Sequence, residues 1–246
     1  MNRLLHITDF KEILKNYKPS EESQQLLKKV DLILLIAPSS TGRNTIISDL
    51  VHNGSFKFVV SDTTRNPRTN NGLLEQNGEH YWFKNELDVL EGLRKGMYLE
   101  AEIIHSQQVS GISMIELEKA HQTNLTAITD IDLGGIEAIL KYKPDAKIVL
   151  LLPPTFEEWI KRIKGRGEMS ESELSRRLST ALTIFNAGLK NNNFQIIVND
   201  NIDESVNHIK EIAKTSKIIK KKDKSIENII KELIKDTTSY LEKKVV

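Results

Sequence analysis

Four short, mainly apolar runs recur along the chain, separated by longer stretches in which apolar residues follow helical spacing. They span residues 32–36, 126–131, 147–152 and 195–198. Strands of a parallel sheet read as nearly continuous apolar runs, because helices cover both faces of such a sheet. The pattern therefore predicts an α/β fold, a parallel sheet flanked by helices.

The segment between the first two runs has a different texture, with short strand-like pieces at residues 56–60, 79–83 and 98–104. Asn and Gly at 70–72 and 77–78 favour tight turns between antiparallel strands. One helix is predicted at 85–95, with leucines 87, 90 and 93 on one face. We predict a small, mostly antiparallel lobe inserted into the core at about residues 56–112.

Helical segments flank the core, which we place at residues 31–213. Residues 1–30 predict two short amphipathic helices, the first opened by Asp9 with Glu12 three residues on and the second following Ser20. Residues 214–246 combine a lysine-rich linker with a C-terminal amphipathic helix. An apolar helix face needs a partner, so these ends predict either packing on the core or contact with a second copy or another protein.

Composition and charge argue against a nucleic-acid-binding or a membrane-spanning protein. Of 246 residues, 39% are hydrophobic, and 35 Lys and Arg stand against 34 Asp and Glu, so no strong field favours nucleic acid or anionic lipid. There is no cysteine, and no apolar run approaches the roughly 18 residues of a membrane span. The start of the chain lacks the apolar stretch of a signal peptide. We expect a cytoplasmic protein that binds neither nucleic acid nor membrane.

A loop resembling a phosphate-binding loop follows the first apolar run. The pattern G-x-x-x-x-G-K-[ST] lets backbone N–H groups surround phosphate oxygens while a lysine and a hydroxyl handle charge and metal. Here Gly42 keeps its place, but Ala37, Arg43 and Asn44 replace the other signature residues. The loop reads Ala37, Pro38, Ser39, Ser40, Thr41, Gly42, Arg43, Asn44 and Thr45.

A second anion-binding motif strengthens the first. In the sequence SDTTRNPR, residues 61–68, Arg65 and Arg68 flank a proline that stiffens the loop. Two guanidinium groups held in this way suit a dianionic phosphate, although a surface loop could carry the same residues.

With both of these motifs, the chain resembles the guanylate kinase family over roughly residues 31–213. After the altered phosphate loop, the family's motifs follow in order as SDTTRNPR, HYWF, LEAE, DID, LPP, GRG, RRL and IIVND. The resemblance implies a P-loop NTPase-type sheet, a GMP-binding lobe and a helical lid at about 160–180. It also implies ATP and GMP or dGMP as substrates, with Mg²⁺ accompanying ATP.

The resemblance assigns roles to individual residues. For GMP it implies Ser61, Arg65, Arg68, Tyr81, Glu100, Asp130 and Asp132, with Ser61 and Glu100 reading guanine. As catalytic groups it implies Arg43 and the lid arginines Arg162, Arg166 and Arg177. For ATP it implies the loop 37–45 and Asn199, with Asn44 in the position of the Mg²⁺ ligand. Asp132 could instead cap the helix that follows it.

The departures from the family pattern lie in two places. Ser40, Arg43 and Asn44 change the phosphate loop, and Ser110 and Ile112 stand where the family has a tyrosine and a hydroxyl. Residues 69–76 are also longer than the family's usual loop. The predicted function is ATP-dependent phosphorylation of GMP or dGMP to GDP. The alternatives are a catalytically impaired module that binds GMP or a phosphorylated peptide, and a nucleotide kinase of shifted base specificity.

Overall fold

The computed structural model describes residues 4–70, 72–165, 167, 169–215 and 223–243. The helices are α1 Ile7–Lys15, α2 Glu21–Leu27, α3 Arg43–His52, α4 Glu86–Arg94, α5 Met114–Gln122, α6 Leu133–Tyr142, α7 Phe156–Lys164, α8 Glu171–Lys190, α9 Ile202–Lys214 and α10 Lys224–Glu242. The strands are β1 Leu32–Ile36, β2 Phe56–Phe58, β3 Asp62–Thr63, β4 Thr69–Asn70, β5 Leu73–Leu74, β6 Trp82–Phe83, β7 Tyr98–Ile104, β8 Gln108–Ser113, β9 Thr126–Asp130, β10 Lys147–Leu152 and β11 Phe194–Val198.

The chain forms two compact units, each assembled from separate stretches of sequence. The first contains residues 4–32 and 55–146, and the second contains residues 33–54 and 147–243. Within the second unit, β10 pairs in parallel with β1 and with β11, in registers that join Ile33 to Lys147 and Ile148 to Phe194. All five residues of β1 are buried, as a strand covered on both faces requires.

In the first unit, β2 pairs in parallel with β9, with Phe56 opposite Thr126. We had predicted residues 56–60 as part of the antiparallel lobe, and this pairing corrects that prediction. A three-residue strand carries too little pattern to reveal its partner's direction. The α/β prediction itself, with parallel strands flanked by helices, is confirmed.

The lobe is a separate mixed sheet with the strand order β6-β3-β8-β7. β8 pairs antiparallel with both β7 and β3, whereas β3 pairs in parallel with β6. A short hairpin, β4–β5, forms within the longer loop at 69–76. In α4 the buried residues are Val89, Leu90 and Leu93, while Leu87, predicted on the buried face, is 60% exposed.

The terminal helices pack within their own units. α1 contacts α4 and β7, and α10 contacts α8 and α7. The prediction that Asp9 opens the first helix is wrong, because α1 begins at Ile7 after His6 and Asp9 lies in its first turn. Ser20 does cap α2, accepting a hydrogen bond from the N–H of Ser23. Among the helices described, none combines the length and apolar character that spanning a bilayer requires.

Candidate functional site

The predicted ATP loop lies in the second unit, between β1 and α3. Gly42 occupies the cap position of α3 with a left-handed backbone, φ 95°. A β carbon at this position would lie 2.5 Å from Nδ2 of Asn199, so both the dihedral angle and the close approach require glycine. The loop therefore enters the helix through the one signature residue that the sequence keeps.

Ser40, which stands where the family has glycine, is held in an unusual state. Its φ of 65° lies in the left-handed region, and the residue is only 6% exposed. Its buried hydroxyl has no hydrogen-bond partner in the part of the chain that the structure describes. Strain and an unsatisfied polar group thus coincide at one position of the loop.

Side chains from α7 and from the segment after β11 hydrogen-bond to the backbone of the predicted ATP loop. Asn199, 1% exposed, donates from Nδ2 to the carbonyl oxygen of Thr41 at 2.6 Å, and its Oδ1 accepts from the Ser205 hydroxyl at 2.9 Å. The indole of Trp159 donates to the carbonyl oxygen of Ser39 at 2.8 Å. The geometry gives Asn199 a supporting role beneath the loop, and its contact with adenine stays a prediction.

The first turn of α3 presents the altered signature residues. Arg43 begins the helix and is half-buried, whereas Asn44 and Thr45 are exposed. A helix N-terminus is favourable for phosphate because its first N–H groups lack intrahelical acceptors. Arg43 and Asn44 therefore stand at the end of the helix where an ATP phosphate would gain most.

The predicted lid arginines that the structure describes each bind a glutamate one helical turn earlier. On α7, Nε of Arg162 lies 3.1 Å from Glu158, and its guanidinium also donates to the carbonyl oxygen of Asn199 at 3.0 Å. On α8, Nε of Arg177 lies 2.8 Å from Glu173. Arg166 lies outside the described residues. The two described arginines are thus positioned as cations whose carboxylate partners a phosphoryl group could replace.

The predicted GMP-binding side chains all lie in the first unit. Arg65 faces Tyr81, with its guanidinium carbon 4.7 Å from the ring centroid. The guanidinium also binds Glu75 through two hydrogen bonds of 2.5 and 2.9 Å, which lowers the pKa of the Glu75 carboxyl. Glu75 further accepts from the backbone N–H of Arg68 at 2.8 Å. The structure thereby brings Arg65, Arg68 and Tyr81 into one neighbourhood.

Sequence reasoning missed Glu75, although a signal was present. It is the single acidic residue in the loop that follows Arg68, residues 69–78. A carboxylate in that loop is the natural partner of two arginines just before it. The side chain of Arg68 reaches elsewhere, to Oε1 of Gln108 at 3.4 Å.

Glu100, the predicted guanine reader, lies on β7 in an acidic environment. Burial, followed by the nearby carboxylates of Asp132 and Glu102, raises the pKa of the Glu100 carboxyl to about 8. A β carbon on Gly135, in the first turn of α6, would lie 3.8 Å from Oε2 of Glu100, so this turn comes close to β7. Burial and Asp132 also raise the pKa of Glu102, a carboxylate that the sequence analysis did not single out.

The two aspartates of the DID motif have different surroundings. Asp130 ends β9, at the edge where ligands bind in parallel sheets. Asp132 caps α6, since its Oδ1 accepts from the N–H of Gly135 at 3.0 Å. The capping alternative for Asp132 is thus observed, while its contact with nucleotide stays a prediction.

The β3–β8 region shows how the chain fills the places of the family's tyrosine and hydroxyl. Ser110 donates to the hydroxyl of Thr63 at 2.9 Å, and Ile112 is 2% exposed. Ser113 caps α5, accepting from the N–H of Ile115 at 3.2 Å. The Ser113 hydroxyl is engaged at the helix start, and guanine reading by Ser61 and Glu100 stays a prediction. Ser61 is half-buried directly before β3.

The sequence is similar to known guanylate kinases. Residues 29–216 match the model of the guanylate kinase family. A guanylate kinase of Corynebacterium efficiens is 31% identical over 183 residues, covering 74% of this chain and 93% of its own. One of Schizosaccharomyces pombe is 29% identical, covering 79% and 95%. Guanylate kinase 1 of Arabidopsis thaliana is 30% identical over 73% of this chain, which spans about half, 46%, of the longer plant protein.

Among solved structures, the fold resembles that of a guanylate kinase from Anaplasma phagocytophilum. The TM-score is 0.55 over 75% of this chain and 84% of that one. Because the two sequences are 22% identical, this likeness bears on the fold alone.

Proposed function

The chain belongs to the guanylate kinase family, and on that premise we propose that it transfers the terminal phosphoryl group of ATP to GMP or dGMP. The observation that carries the proposal is the pairing of Arg65 with Tyr81 beside the backbone of Arg68. This group offers guanidinium and phenol donors to one phosphate. A protein that had lost its acceptor would have little use for it.

For the acceptor base, the side chain with the required chemistry is Glu100. An ionised carboxylate accepts hydrogen bonds from both N1–H and the exocyclic amine of guanine, and adenine offers no such pair. Because burial raises the pKa of Glu100 to about 8, binding guanine would draw the proton from this group. Acceptor recognition is then coupled to proton release.

For the donor, we assign the loop backbone and Arg43 to the phosphates of ATP. Mg²⁺ commonly binds through one or two protein oxygens together with substrate phosphates, and the exposed amide oxygen of Asn44 fits that requirement. Bound there, the ion would offset negative charge on the phosphates. Arg162, Arg166 and Arg177 would stabilise the charge that develops on the transferring group.

The altered loop favours one alternative, a module that binds GMP or a phosphorylated peptide without turnover. The supporting observation is the strained, buried Ser40 in a loop fixed by Asn199 and Trp159. A binding module has no need of ATP, so ATP affinity separates the two functions. The buried Ile112 raises a further question, base specificity, which a comparison of GMP, dGMP, AMP and UMP as acceptors answers.

The deciding experiment measures ADP formation from ATP in the presence and absence of GMP. We expect GMP-dependent ADP formation by the native protein. Replacing Arg43→Lys together with Asn44→Ser should raise kcat by roughly tenfold, because a compact ammonium and a hydroxyl suit the phosphates and Mg²⁺ better.

Two results would contradict these expectations, and only the first counts against the kinase. One is intact GMP binding with no ADP formed by either protein, which supports the binding module. The other concerns only the loop: a lower kcat in the double variant would show that its backbone has adapted to Arg and Asn.

The lack of cysteine also leads us to propose a cytoplasmic location. Contact with a partner through the terminal helices stays a prediction.

A further inference from the structure

The N-terminal segment, residues 4–28, precedes the family match and belongs to the core of the first unit. Phe10 of α1 is fully buried in a cluster with Leu90 and Leu93 of α4, Tyr98 of β7 and Val109 of β8. Ile13, Leu14 and Tyr17 pack against the same cluster. The segment thus covers the lobe that carries the predicted guanine reader.

Polar contacts fix this segment at its start and at its second helix. The carboxylate of Glu86, in the first turn of α4, accepts from the N–H groups of Leu5 at 3.0 Å and His6 at 2.8 Å. The carbonyl oxygen of Gly96 accepts from the N–H of Ser20 at 3.0 Å and from the hydroxyl of Ser23 at 2.8 Å. The N-terminal ends of α1 and α2 are therefore joined to the start of α4 and to the turn between α4 and β7, respectively.

The most specific contact is made by Tyr17. Its hydroxyl donates to the carbonyl oxygen of Tyr98 at 2.7 Å and accepts from the N–H of Tyr98 at 2.8 Å. Burial raises the pKa of the Tyr17 phenol to about 12, so it is protonated at neutral pH and can serve in both roles. Tyr98 lies on β7, a strand at the edge of the described sheet. The Tyr17 hydroxyl takes the place of a neighbouring strand by bonding both backbone groups of Tyr98.

This support lies where the sheet itself is weakest. The β7–β8 register shifts between Tyr98 and Glu100, from Tyr98 opposite Ser113 to Glu100 opposite Ile112. Such an irregularity interrupts the ladder of hydrogen bonds that would otherwise fix the strand. The hydroxyl of Tyr98 meanwhile donates to Oδ2 of the buried Asp62 at 2.6 Å, next to Ser61. Tyr98 is thus connected to the neighbourhoods of both predicted guanine readers.

We propose that Tyr17 is a positioning residue for recognition of the acceptor base, setting Glu100 through the backbone of Tyr98 and Ser61 through the Tyr98–Asp62 pair. The inference rests on the proposed function, since it takes Glu100 and Ser61 to read guanine. It gives the N-terminal extension a role in base selection.

The test replaces Tyr17→Phe, which removes the hydroxyl and keeps the buried ring. Calorimetry measures the affinities for GMP and for inosine monophosphate, which lacks the exocyclic amine. The ratio of the two affinities reports how well Glu100 is positioned to bind that amine. We expect GMP to bind about 3- to 10-fold more weakly, a loss on the scale of one or two hydrogen bonds. Inosine monophosphate should change less, so the preference for GMP falls. ATP affinity should be unchanged.

The matched control is Tyr142→Phe, a half-buried tyrosine of the same unit whose hydroxyl makes no hydrogen bond to β7 in the described structure. It should behave as the native protein does. Equal weakening of GMP and inosine monophosphate, or no weakening of either, would overturn the inference. Failure of the proposed function shows separately, as absence of ADP formation by the native protein.

Discussion

If the proposed function holds, a single carboxyl group, that of Glu100, should make GMP binding depend on pH. Its pKa of about 8 lies above the unfolded value of 4.5, so the free protein holds this proton at neutral pH. Guanine needs the ionised form of this carboxyl. GMP affinity should therefore rise by up to about tenfold per pH unit between pH 6 and 8, and should level off above pH 8. Calorimetric titrations with GMP between pH 6 and 9 measure this.

The same shift has an opposite effect on stability. Because the folded-state pKa is raised, the contribution of Glu100 to folding is complete below about pH 4.5 and is lost as pH rises towards 8.

Glu100→Gln should remove the pH dependence of GMP affinity while weakening binding. A Gln variant with the native pH profile would assign the proton to another group.

Ser40 offers a second prediction for one residue. Ser40→Gly removes a left-handed non-glycine residue and an unsatisfied buried hydroxyl, so it should raise the free energy of unfolding by about 1 kcal/mol. Denaturant unfolding measures the change. Ser39→Gly is the matched control, because Ser39 is exposed and has no such φ, and there glycine should lower stability. A loss of stability in the Ser40 variant would show that its hydroxyl is satisfied in solution.

At the level of elements, the sequence predicted what local residues decide. The run at β1 and the helix start after Ser20 follow from residues within a few positions of each other, and the structure has both. The start of α1 was missed because the N–H groups of Leu5 and His6, just before it, donate to Glu86, about 80 positions away. No periodicity within residues 1–30 could disclose that partner.

The candidate site divides in the same way. Arg65, Tyr81 and Glu100 were predicted as site residues from motifs, because the residues next to each of them in the sequence define the motif. The contact of Tyr17 with Tyr98, two residues before Glu100, was not predicted, because it depends on how elements pack. Pairing direction is equally non-local, which is why β2 was placed in the wrong sheet.

For the whole molecule, the structure assigns the last helix to the second unit. α10 buries Ile230 and Leu233 and packs Tyr240 against Phe156 of α7, with ring centroids 5.8 Å apart and the rings tilted by 54°. Leu233→Ala should lower the free energy of unfolding by about 2–5 kcal/mol, as for other large-to-small changes in a core. Lys235→Ala, exposed on the same helix, should stay within about 0.5 kcal/mol of the native protein. Equal stabilities would mean that α10 leaves its place in solution.

The interleaving of the two units also has a consequence for synthesis. β1 is made early, yet Ile33 pairs with Lys147, which leaves the ribosome 114 residues later (147 minus 33). The first unit is complete once Ala146 has emerged, whereas the phosphate loop still lacks β10, β11 and Asn199. A newly made chain therefore carries the apolar run of β1 without its β10 partner for nearly half of translation. During that interval chaperones, rather than the fold, would have to shield it from aggregation.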